Sequence, residues 1–186
     1  MFIETEGTPN PATLKFLPGR YVMEAGTADF AAPASAARSP LAAALFDLPG
    51  VARVFLGNDF ISVTKTDEID WPSLKPQVLA TVMEHFVAGR PVLEGDVDAL
   101  DEEDVDPDDQ EIVDQIKELL DTRVRPAVAG DGGDVVFRGY RDGVVRLYMQ
   151  GSCSGCPSSS ATLKHGIENM LRHYVPEVVA VEQVEV

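Results

Sequence analysis

Two cysteines occur in this chain, three residues apart, in Gly151-Ser152-Cys153-Ser154-Gly155-Cys156-Pro157. Thiols at that spacing can chelate a soft metal or close a small redox disulfide. They cannot alone complete a four-thiolate site. A cubane iron–sulfur cluster or a four-cysteine zinc ion would need two further ligands, and a second copy of the chain is the simplest source. Glycine-rich flanks and a cap position argue against buried structural cysteines. A redox dithiol usually follows an early strand of a βαβ unit, whereas this pair follows a predicted hairpin near the C-terminus. His165 and His173 could complete a Cys₂His₂ zinc site only from one helix, about 12 Å apart along its axis, which is too far for a single ion. Dimeric zinc and a bridged iron–sulfur cluster both remain open on spacing alone.

The neighbouring segments must position the pair. Val144-Val145-Arg146-Leu147-Tyr148-Met149 is β-branched and aromatic and predicts a strand. Leu163, Ile167, Met170, Leu171 and Tyr174 recur at helical spacing up to Val175-Pro176. The cysteines therefore fall on a strand-to-helix turn, where the helix dipole favours thiolate over thiol. Upstream, Asp106 caps a helix opened by Pro107, carried by Ile112, Val113, Ile116, Leu119, Leu120 and Val124 and ended by Arg125-Pro126. Gly130-Asp131-Gly132-Gly133-Asp134 lacks the lysine and hydroxyl of a phosphate loop and predicts a tight turn into a strand. Val135 to Phe137 and Val144 to Met149 flank Gly139-Tyr140-Arg141-Asp142-Gly143 as a hairpin, and a last strand runs from Val178 to Val184. The order is αββαβ, a small α+β domain.

Three motifs in this half resemble the C-terminal domain of NifU-like (Nfu-type) iron–sulfur scaffold proteins: the stretch from Cys153 to Glu168, Arg125-Pro126 followed by Asp131-Gly132-Gly133-Asp134-Val135, and Tyr174-Val175-Pro176-Glu177-Val178. The resemblance runs from about Gln110 to the end. It implies a [4Fe–4S] cluster held between two subunits by Cys153 and Cys156 of each, in a homodimer that passes the cluster to apo-proteins. A thioredoxin-like dithiol oxidoreductase and a dimer bridged by four-cysteine zinc are the alternatives.

The first half has no cysteine and can supply no thiolate. Leu14 to Leu17 and Tyr21 to Met23 predict strands; Ser39-Pro40 caps a helix stopped by Pro49-Gly50. Val51 to Leu56 and Phe60 to Thr64 flank Gly57-Asn58-Asp59 as a hairpin, and Asp70-Trp71-Pro72 starts a helix ending at Gly89. This half is α+β too. Thr8 to Phe16 and Phe46 to Val51 resemble the Nfu N-terminal domain, which implies recognition of clients or delivery partners. No catalytic set is visible, and the chain reads as a non-enzyme. His85 reads as helix surface or core edge.

The formal net charge of −16 is concentrated. Glu94 to Glu111 holds eleven acids and no base; without them 20 acids face 15 bases. The run predicts a solvated, flexible tether. It fails as a calcium loop, since Asp109 and Gln115 stand where a glycine and a bidentate glutamate are needed. The expected domains are thus 1–90, an acidic linker 91–109, and the cluster-binding domain 110–186. No basic patch suits nucleic acid, and no stretch suits a membrane span. An acidic start without a transit-like segment and sparse cysteines lead to the expectation of a bacterial cytoplasmic protein.

Overall fold

The computed structural model describes residues 1–95, 105–154 and 157–184. The chain forms two compact units, Met1–Asp98 and Ala99–Val186. Each has its own hydrophobic core.

The first unit is an antiparallel five-stranded sheet with two helices. Its strands are β1 (Glu4–Gly7), β2 (Thr13–Leu17), β3 (Ala28–Phe30), β4 (Val51–Leu56) and β5 (Ile61–Lys65), in spatial order β1-β2-β5-β4-β3. Helix α1 (Pro40–Phe46) starts where the Ser39 hydroxyl accepts from the Ala42 N–H at 3.0 Å. Helix α2 (Trp71–Val87) starts where Asp70 accepts from the Ser73 N–H at 3.0 Å. Leu74, Val78, Val82 and Phe86 form a stripe at four-residue spacing on α2 and join Phe16, Val54, Leu56, Ile61 and Val63 in the core. Val92 and Leu93 pack against the same core, and Ser39 donates to the Val92 carbonyl at 2.6 Å.

Three strands here differ from expectation, β3 being one that the sequence pattern does not display. Tyr21 to Met23 is no strand: the Val22 and Met23 N–H groups both donate to the Asn58 carbonyl, at 2.7 and 3.1 Å. The neighbours of β2 are β5 and the edge strand β1, whose residues are mostly exposed. An edge strand with a solvated face lacks the apolar alternation that a sequence pattern detects. His85 also departs from its expected surface or edge position, since it is 2% exposed.

The second unit holds α3 (Gln110–Leu119), α4 (Arg125–Gly130), β6 (Gly133–Arg141), β7 (Val144–Gly151), α5 (Pro157–Tyr174) and β8 (Ala180–Val184). The αββαβ order is as expected. Strands β6 and β7 pair antiparallel, and β8 joins β7 in parallel after α5. Val135, Phe137, Tyr140, Val145, Leu147, Met149 and Val181 pack with Val113, Ile116, Leu120, Val124, Ile167 and Leu171 from the helices. Asp106 caps a 3₁₀ turn at Pro107–Asp109 that leads into α3.

Arg125-Pro126 does not end the helix. The backbone widens into a π turn over Leu120–Val124 and resumes as α4. Pro126 has no N–H to donate and its ring crowds the preceding turn. The wider step accommodates this: the Arg125 N–H donates to Leu120, five residues back. The hairpin also turns more tightly than expected. Only Asp142 and Gly143 form the turn, at φ 52° and 80°, the left-handed pair that matches strand twist. Gly139 and Tyr140 belong to β6, beside a bulge between Phe137 and Gly139.

Candidate metal centre at the cysteine turn

Strand β7 ends at Gly151, opposite Gly133 at the start of β6. Gly151 takes φ 64°, which turns the chain out of the sheet. The next residues are fastened to the loop before β6. The Ser152 N–H donates to the Gly132 carbonyl at 3.2 Å, and its hydroxyl donates to the Asp131 carbonyl. Ser154 closes the turn, its N–H donating to the Gly151 carbonyl at 3.2 Å and its hydroxyl to the same oxygen at 3.1 Å.

Cys153 lies inside this frame at 7% exposure, as part of the domain core. Gly133 makes room for it: a Cβ there would lie 2.7 Å from Cys153 Sγ and 2.6 Å from the Gln150 carbonyl oxygen. Just past that loop, Arg125 grips the start of β6. Its Nε and Nη2 donate to the two carboxylate oxygens of Asp134 at 2.8 and 2.7 Å, while Asp121 takes Nη1 at 3.2 Å. Asp134 is 3% exposed and also accepts from the Val135 N–H at 2.8 Å. The Asp134 hydrogen bonds raise the Arg125 pKa further above its ordinary value, so the guanidinium stays charged.

The expected thiolate is not what this environment favours. Burial pushes the Cys153 thiol up to about 11, and the Asp131 and Asp134 charges push the same way against a hydrogen bond with Ser152. Cys153 stands four residues ahead of α5 and faces the core, so desolvation outweighs the helix dipole. The glycine-rich flanks, read as a poor core setting, serve here to let the backbone close over the sulfur. Cys156 lies outside the described residues. His165 and His173 are exposed on α5, and His173 packs edge-on against Tyr174 at 4.9 Å. Among the described residues no group of three or more His, Cys, Asp or Glu side chains is arranged to hold a metal ion. The Arg125–Asp134 pair escaped the sequence reading because a nine-residue spacing through a π turn, a helix and a glycine loop leaves no periodic signal.

Residues 3–89 match the family described as "Scaffold protein Nfu/NifU N terminal", and residues 116–182 match the "NifU-like domain". The chain belongs to the Nfu family. "NFU1 iron-sulfur cluster scaffold homolog, mitochondrial" of Homo sapiens is 54% identical over 185 residues, 99% of this chain and 72% of that protein. "NifU-like protein 4, mitochondrial" of Arabidopsis thaliana is 53% identical over 186 residues, 98% of this chain and 66% of that protein. The solution NMR structure of a NifU-like protein from Saccharomyces cerevisiae aligns with TM-score 0.47 and 25% identity, over 52% of this chain and 87% of that one.

These Nfu relatives correct one expectation. Their names place them in mitochondria, not in a bacterial cytoplasm. The relatives are longer than this chain, so its first residues bear no weight in the question. Sparse cysteines fit a reducing compartment in general and do not choose among them. Among the described residues no helix is long and apolar enough to cross a membrane. As a member of a scaffold family, the Nfu chain is not an enzyme.

Proposed function

We propose that this Nfu-family chain is an iron–sulfur cluster scaffold and carrier. It holds a [4Fe–4S] cluster between two copies of itself, with Cys153 and Cys156 from each, and hands it to apo-proteins. The observation that carries this reading is the turn after β7. It presents Cys153 from a frame of backbone hydrogen bonds, inside the segment that matches the NifU-like domain. A chain with two thiols needs a second copy to surround a cubane with four.

The two units divide the work. Residues 110–186 bind the cluster, residues 1–90 recognise clients and delivery partners, and the acidic run between them is the tether. Anaerobic reconstitution tests the central claim. The protein should turn brown, carry about four irons and four sulfides per pair of chains, and scatter light as a dimer. Stoichiometric zinc with no sulfide, or a monomeric iron-loaded form without added thiol, would overturn it.

A further inference from the structure

We propose that Arg125 and Asp134 are positioning residues that hold the glycine loop over Cys153, so that the thiol is sheathed until a cluster is offered. The loop touches the cysteine turn at three places: Gly132 accepts from the Ser152 N–H, Asp131 accepts from the Ser152 hydroxyl, and Gly133 lies directly against Cys153 Sγ. Asp134, the second residue of β6, is buried and gripped by both arms of Arg125, next to Gly133, whose backbone pairs with Gly151 in the ladder. Arg125 begins α4 directly after the π turn. A π turn rotates everything beyond it relative to a regular α-helix, and such turns recur at functional sites. A widened helix, a two-pronged ion pair, a glycine loop and a thiol therefore form one continuous chain of contacts.

Opening that sheath need not unfold the domain. Lifting the segment would part only the Gly133–Gly151 end of the β6–β7 ladder and leave the core residues from Val135 onward packed, a local event with its own free energy. Losing one prong of a charge-assisted pair makes that event more frequent, and reagents that need the sulfur exposed report it directly. The inference rests on Cys153 being a cluster ligand for its purpose but not for its test, which uses the full-length chain without a cluster.

In a Cys156→Ser background, alkylation of Cys153 by iodoacetamide is followed by mass spectrometry. Arg125→Gln and Asp134→Asn should each speed it by about tenfold or more. The exchanged pair Arg125→Asp with Asp134→Arg should return the rate toward that of the parent. Val145→Ala, a core change remote from the ion pair, controls for general loosening and is compared at matched melting temperature. Unchanged rates in both single variants overturn the proposal, as does an equal acceleration in the Val145→Ala control. The single variants decide the matter if the exchanged pair does not fold. Failure of the scaffold reading would look different: the parent chain with both cysteines would take up no iron, whatever the alkylation rates.

Discussion

At the residue scale the two cysteines differ from a generic chelating pair because one of them is a core residue. Cys153→Ser should abolish stable cluster binding, since a hydroxyl is a poor ligand for cluster iron and a symmetric dimer loses two thiolates at once. It should also destabilise the apo domain by about 1–2 kcal/mol, because a hydroxyl is buried where a thiol packed. Iron-to-protein ratios and urea melts read the two effects separately. Wild-type iron content in the variant would remove Cys153 from the site. The pH dependence follows from the same burial. In the Cys156→Ser chain, the alkylation rate should rise with pH toward a midpoint near 11 rather than the ordinary 9. A midpoint at or below 9 would mean that the helix dipole, not desolvation, governs this sulfur.

At the element scale, helix α2 carries a second buried titratable group. His85 sits in the last turn, 2% exposed, and neither ring nitrogen has a partner within hydrogen-bond geometry. Burial first, then the charge of Arg90, lowers its pKa below 6.5 against weaker backbone contacts with Arg90 and Pro91. The folded unit therefore binds this proton less readily than the unfolded chain. Titration of His85 contributes nothing above about pH 6.5, and stability falls as pH drops from there through the lower folded value. Chemical denaturation at pH 7.5 and 5.5 should show a larger loss for the wild type than for His85→Leu. Equal losses would mean that the ring stays hydrated in solution.

The hairpin turn sets a second test at this scale. Gly143 has φ 80°, and a Cβ on it would lie 2.6 Å from a Val179 methyl and 2.9 Å from the Glu177 carbonyl oxygen. Gly143→Ala should cost about 1–3 kcal/mol from backbone strain and crowding together. A denaturation midpoint unchanged from wild type would show that the segment before β8 yields freely.

At the scale of the whole molecule, two separate cores predict two separable foldings. The first unit buries Phe16, Leu41, Leu45 and Ile61; the second buries Ile116, Leu147, Met149 and Leu171. A fragment spanning 105–186 keeps Val105, which packs against the second core, and should fold and take up a cluster without the first unit. It should deliver that cluster poorly to apo-proteins. Iron and sulfide content of the fragment, followed by transfer to an apo-enzyme, checks both halves of this expectation. A folded fragment that takes up neither iron nor sulfide would make the first unit part of the site.

Much of this architecture was legible in the residues themselves. The Ser39 and Asp70 caps, the four-residue stripe of α2, the β4–β5 hairpin and the αββαβ order follow from local rules. Capping, helical periodicity and turn propensity act over a few neighbouring residues, and sequence displays them directly. The position of Cys153 between β7 and α5 was legible for the same reason. What lay beyond reach depends on atoms distant in the chain. The edge strand β1 is defined by its pairing with β2 rather than by its own pattern. The π turn reflects a bargain between Pro126 and the helix around it. Cys153 is buried against a glycine twenty residues upstream, beside an aspartate that a distant arginine grips. Desolvation is a property of surroundings, not of spacing, so sequence could nominate Cys153 as a ligand while only the tertiary structure buries its sulfur and raises its pKa.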